Sequence, residues 1–89
     1  MRAQHILVTN LKEAVRLIGD LREDTISFSE AARSFSICPS KKQCGDLGKI
    51  EKGQMGKTFE DACWTAKIGM LVGPVKTDQG FHIIRVLQK

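Results

Sequence analysis

An α+β domain is what this sequence predicts, and three observations predict it. A short apolar, partly β-branched run opens the chain, helix-period apolar stripes preceded by capping signatures fill its middle, and two extended runs joined through a glycine turn follow. Residues 3–8 form the first run, which stops at Thr9-Asn10 and reads as a strand with His5 and Leu7 on one face. Asn10 with Glu13 reads as an N-cap and its capping-box partner, and Leu11, Ala14, Val15, Ile18 and Leu21 recur at helical spacing. Ser27 and Glu30 repeat the signature before a shorter stripe of Phe28, Ala31, Ala32 and Phe35.

Between residues 36 and 45 the pattern breaks into Ser, Cys, Pro, Lys and Gly, which is loop chemistry. Residues 48–51 allow a short strand, and Lys52-Gly53 a turn. Thr58 with Asp61 then suggests another helix start, with Phe59, Ala62, Cys63 and Ala66 along one face and an end at Ile68-Gly69-Met70. Residues 71–77 and 81–87 are extended runs joined by Asp78-Gln79-Gly80, a hairpin signature. Pro74 cannot donate a ladder hydrogen bond, so the first of these strands belongs at a sheet edge and the last lies further inside.

At 89 residues the chain holds one domain, residues 1–89, and its 42% hydrophobic and 27% charged content is that of a folded protein. No run reaches the ~20 apolar residues of a membrane span, and no apolar leader follows Met1, which points to the cytosol or nucleus. Three cysteines, Cys38, Cys44 and Cys63, cannot all pair within the chain, so reduced thiols are expected. The net charge of +4 comes from 14 basic residues interleaved with 10 acidic ones, which disfavours a nucleic-acid groove.

Both histidines fall inside expected strands: His5 before Ile6-Leu7-Val8, and His82 in step with Ile84 and Val86. A lone inward histidine is usually a hydrogen-bonded core residue, whereas two on separate strands can bond each other and present a polar floor to a pocket. Cys38, in Ser36-Ile37-Cys38-Pro39-Ser40, reads equally as an accessible thiol and as a space-filler; Cys63 reads as core. The ligand types His5, Cys38, Cys44 and His82 suit zinc, but no ligand-spaced pair is present. Nucleophile-elbow and phosphate-loop patterns are also missing, against hydrolase and nucleotide readings.

Three segments taken together resemble the parvulin family of peptidyl-prolyl isomerases. They are Gln4-His5-Ile6-Leu7-Val8; Ser36-Ile37-Cys38-Pro39-Ser40 through Gly45-Asp46-Leu47-Gly48 to Gly53-Gln54-Met55; and Gly73-Pro74-Val75 with Thr77-Asp78-Gln79-Gly80-Phe81-His82-Ile83-Ile84. The resemblance implies a parvulin fold of the FKBP-like superfold, a four-stranded antiparallel sheet wrapped by about four helices, with both histidine strands central. It makes His5 and His82 the paired histidines under the active site, Thr77 their partner, and Cys38 the active-site cysteine. Leu47, Met55 and Phe59 take the positions that cup the substrate proline, and Gln79 a polar position near it. For Met55 and Phe59, core packing explains the residues nearly as well.

Two positions depart from the family pattern: Cys44 stands where Gly or a basic residue is usual, and Gly56-Lys57-Thr58 lacks a proline common before the pocket phenylalanine. The implied reaction is cis/trans isomerisation of X-Pro bonds in peptides and proteins, with no cofactor and with a monomeric enzyme. The connection after residue 8 is only Thr9-Asn10, with Lys12 the nearest cation, whereas the Pin-type branch carries a basic cluster there. No phosphoserine or phosphothreonine requirement is therefore expected.

Overall fold

Four strands and three α-helices make up the fold in the computed structural model, which describes residues 1–51 and 53–89. In chain order they are β1 (Arg2–Val8), α1 (Leu11–Arg22), α2 (Phe28–Phe35), β2 (Asp46–Lys49), α3 (Lys57–Thr65), β3 (Leu71–Thr77) and β4 (Gly80–Gln88), with one 3-10 turn at Pro39–Gln43. The three α-helices and the 3-10 helix agree with the expected four-stranded sheet wrapped by about four helices. The sheet is antiparallel throughout in the order β2-β1-β4-β3, which places both histidine strands inside and the Pro74 strand at an edge.

Register decides which face each histidine takes. His5 lies opposite Ile84 and His82 opposite Leu7, so the two sit diagonally on one face with Ala3, Leu7, Ile84 and Val86. The alternate residues Ile6, Val8 and Ile83 point to the other face, where Ala14, Leu17, Ile18 and Leu21 of α1 and Phe28, Ala31 and Ala32 of α2 cover them. On the histidine face, Phe59 and Cys63 of α3 pack with Ala3, Ile50, Ala66, Ile84 and Val86. A central pair of strands covered on both faces explains why β1 reads as a nearly continuous buried run.

The expected N-caps hold at the first two helices. Asn10 accepts from the backbone N–H groups of Lys12 and Glu13, and Ser27 from that of Glu30. The face of α1 differs from the expected one: Leu11 is 49% and Val15 55% exposed, and Leu17 fills the core instead. Val15 stands about 110° round the helix from the centre of the 14/17/18/21 stripe, and Leu11 overhangs the first turn.

Three boundaries also move. β2 begins at Asp46 rather than at Gly48, because Asp46 turns its side chain onto the Gly48 N–H while Ile50 leaves the strand to bury itself, its N–H donating to Met1 O. α3 starts after Gly56, not at a Thr58 cap, and Gly56 supplies no side-chain cap bond. It ends at Thr65, whose hydroxyl bonds back to the carbonyls of Asp61 and Ala62, so Ile68 and Met70 lie outside it and exposed. Trp64 faces solvent and does not pack beneath the helix. The turn expected at Lys52-Gly53 lies outside the described residues at Lys52, while Gly53 has a positive φ of 84°.

Candidate functional site

β1 and β4 bring the two imidazoles together from positions 77 apart in sequence. Nδ1 of His5 and Nδ1 of His82 are 3.1 Å apart, and the rings stack with centroids at 5.2 Å. One Nδ1 must donate and the other accept, so the pair is held as complementary neutral tautomers. The other nitrogen of His82, Nε2, lies 2.7 Å from Thr77 Oγ1, and that oxygen accepts from the Gln79 N–H at 3.2 Å. If the threonine hydroxyl donates to Nε2, His82 carries its proton on Nδ1 and passes the bond on to His5. The bonds then run without a break from the β3–β4 turn through Thr77 and His82 to His5.

Each histidine is only 1% exposed, yet no buried polar side-chain atom among the described residues lacks a hydrogen-bond partner. Burial resists the charged form of both. His5 is lowered from its ordinary 6.5 to about 4, by desolvation first and by the neighbouring His82 second. His82 is lowered by desolvation. The floor is therefore polar but uncharged near neutrality.

Phe59 reaches this floor from α3. Its ring meets His5 edge-on at 5.8 Å and His82 edge-on at 5.3 Å, so its removal would leave both imidazoles poorly packed. Above lies an open cavity of about 270 Å³ lined by Gln54, Met55, Gly56, Phe59, Thr77, Asp78, Gln79 and His82. Its size is near the lower end of ligand sites, roughly 300 Å³ and up, which suits one small ring rather than an extended cofactor.

Five of the eight residues singled out from sequence therefore line one cavity: Met55, Phe59, Thr77, Gln79 and His82. His5 lies behind His82 as its hydrogen-bond partner. Leu47 packs with Met55 against the Phe59 cluster without lining the cavity. Cys38 is half-buried, its backbone N–H donating to Ser36 Oγ, and it too is outside the lining.

Ser36 is a contributor that sequence reasoning passed over. Its buried hydroxyl oxygen also accepts from the Leu7 N–H, while the Ile37 N–H donates to Leu7 O, so the loop before Cys38 is tied to the strand that carries His5. Gln54, Gly56 and Asp78 were missed as well. Gln54 and Asp78 sit in turns and Gly56 just before α3, where periodicity carries no signal. Of the other thiols, Cys63 is fully buried and pushed up to about 11, chiefly by desolvation, while Cys44 holds a left-handed φ of 60° before Gly45.

Two glycines let the backbone close round this arrangement. A Cβ at Gly45 would stand 2.5 Å from His5 O, and one at Gly80 2.5 Å from Val8 O, and both residues hold positive φ. Gly45 O accepts the His5 N–H, fixing β1 from its β2 side. Gly80 directs the β3–β4 turn so that Thr77 meets His82 and the Gln79 N–H meets Thr77.

No group of three or more His, Cys, Asp or Glu residues placed to hold a metal ion occurs among the described residues. Nor is any helix among them long and apolar enough to cross a membrane.

The chain is similar to known proteins along nearly its whole length. Residues 5–88 match the family described as Rotamase, PPIC-type PPIase domain. The chain is 43% identical over 84 residues to the peptidyl-prolyl cis-trans isomerase Pin1 of Arabidopsis thaliana, covering 90% of this chain and 71% of that protein. It is 44% identical over 92 residues to the foldase protein PrsA of Geobacillus sp. strain WCH70, all of this chain but 32% of the foldase. Among solved structures, PrsA from Bacillus anthracis superposes with a TM-score of 0.93 at 38% identity, over 98% of this chain and 40% of that one. NmPin, the parvuline of Nitrosopumilus maritimus, gives 0.86 at 35% identity over 99% and 95%. The chain thus spans most of some relatives and about a third of others.

Proposed function

The chain belongs to the PPIC-type peptidyl-prolyl cis-trans isomerase (rotamase) domain family, and from that premise we propose that it turns over X-Pro bonds in proteins at the His5–His82–Thr77 cavity, as a monomer, without needing a phosphorylated residue before the proline. The observation that carries the reading is the uncharged, fully hydrogen-bonded histidine pair lying under a small cavity walled by Met55 and Phe59.

Rotation about the peptide bond faces a barrier of ~18–20 kcal/mol, set by amide resonance. The planar amide is charge-separated and well solvated by water; the twisted one keeps its lone pair on nitrogen and needs less solvation. A ring seated against Met55 and Phe59 exchanges water for apolar wall, which withdraws support from the planar states more than from the twisted one. Neutral imidazoles suit that task, because a full charge beside the carbonyl would favour the planar, charge-separated form. Thr77, held by His82, and Gln79, at the rim, are the polar groups at hand for the twisting amide. Leu47 backs the apolar wall, and Cys38 acts from the loop tied to β1 without forming a covalent adduct, since rotation breaks no bond.

Two features support independence from phosphate. The β1–α1 connection consists of Thr9 and Asn10, with the Asn10 side chain occupied in capping α1. Tight phosphate binding needs several convergent donors, and this connection offers none. Assistance to protein folding or conformational switching in a reducing compartment fits three free cysteines. Paired peptides, Ser-Pro against phosphoserine-Pro, compared at low and physiological salt, test the specificity: near-equal turnover is expected. A gain of tenfold or more that survives added salt would reverse it.

A further inference from the structure

The cavity described above does not end at its rim. A second groove, of about 400 Å³, is lined by Gly56, Lys57, Thr58, Lys76, Thr77 and Asp78. Three of these, Gly56, Thr77 and Asp78, line the first cavity too, so the two grooves share a wall. Lys57 comes from the first position of α3 and Lys76 from edge strand β3, and both side chains are exposed. Among the described residues neither is ion-paired: the ion pair found there is Arg2 with Asp46, elsewhere on the sheet. Asp78 offsets part of this charge and leaves the groove with a net of one positive.

We propose that this groove is a substrate subsite for an anionic side chain, carboxylate or phosphate, two or three residues from the proline. The inference rests on the isomerase reading, since the register is set by a proline ring in the first cavity. The two grooves share a wall, so an extended chain leaving the first at about 3.3–3.6 Å per residue enters the second within a few residues. The subsite is proposed beyond the position next to proline, and the two are tested separately, the adjacent position by the Ser-Pro and phosphoserine-Pro pair. Exposed ammonium groups attract an anion without fixing its geometry, so the subsite favours acidic substrates and does not demand them, and salt weakens it.

The test scans one glutamate along an Ala-Pro peptide from three residues before to three residues after proline, each compared with its glutamine counterpart at low salt. Turnover is read by exchange NMR and binding by amide shifts of the protein. At one position two or three residues from proline, kcat/KM is expected to rise about fivefold over the glutamine peptide, with shifts at Lys57, Thr58 and Lys76. The glutamate-to-glutamine ratio falls to about one in the Lys57→Gln/Lys76→Gln double variant, rises in Asp78→Asn, and persists in Lys41→Gln/Lys42→Gln, which removes loop cations outside the groove. A ratio near one at every position, or a gain that survives the double Lys57/Lys76 change, overturns the subsite while turnover of the glutamine peptides keeps the isomerase reading intact. Absence of turnover for the glutamine peptides as well removes the isomerase reading and the subsite with it.

Discussion

Acid should unfold this domain earlier than its carboxylates alone would dictate, because two buried histidines refuse protons that the unfolded chain accepts. His5 titrates near 6.5 when unfolded and only at about 4 when folded, through desolvation and then the neighbouring His82. A depressed folded-state value means that the stabilisation is complete above pH 6.5 and is lost as pH falls through the window from 6.5 to about 4. At about 1.36 kcal/mol per pH unit, the full loss from His5 is about 3 kcal/mol, of which about 2 kcal/mol falls between pH 7 and 5. His82 shifts in the same direction and adds to it.

Against a typical total of ~5–15 kcal/mol for a small domain, this is a large share. Urea unfolding followed by fluorescence of Trp64 at pH 7, 6 and 5 measures it. The His5→Leu/His82→Leu double variant serves as reference, since its carboxylates are unchanged. The wild type should lose at least about 2 kcal/mol more than the double variant over that range. Parallel curves for the two proteins would refute the reasoning, and would mean that the pair is protonated or solvated in the native state.

The remaining predictions bear on the same floor and its surroundings. Thr77→Val removes the oxygen that bonds His82 Nε2 and the Gln79 N–H, and should cost about 1–3 kcal/mol in melting experiments while slowing turnover. His82→Leu should slow turnover as well and destabilise by a similar amount, about 1–3 kcal/mol, since it strands partners on both sides. Cys38→Ala should reduce turnover yet leave the melting temperature nearly unchanged, because the Cys38 N–H that bonds Ser36 is kept and the side chain is only half-buried; a large fall in stability would show that the thiol fills core space.

How much of this was legible beforehand follows from which forces write themselves into local sequence. Side-chain alternation and capping chemistry are local, so the strand around His5, the α1 and α2 starts at Asn10 and Ser27, and the Gly80 hairpin could be read directly. The hairpin residues lie within five positions of each other, and Thr77 with His82 followed from them once the family resemblance was seen. The face of α1 was harder, since Leu11, Val15 and Leu17 are equally apolar and only the position of the sheet decides that Leu17 is buried. At α3 the Thr58 signature misled because Gly56 sets the start through backbone geometry, with no side chain to announce it. Asp78 and the Lys57–Lys76 groove depend on a turn and an edge strand meeting a helix start, and no window of sequence contains that juxtaposition.

The central claim is that the neutral histidine floor and the Met55–Phe59 cavity accelerate rotation about X-Pro bonds. Two-dimensional exchange NMR on an Ala-Pro peptide, with chelator and without nucleotide, tests it most directly. Spontaneous exchange takes tens of seconds at 25 °C, so catalytic amounts of the domain should bring cis and trans resonances into exchange within the mixing time, and His82→Leu should slow that exchange. Exchange at the spontaneous rate, whatever residue precedes the proline, would contradict the claim.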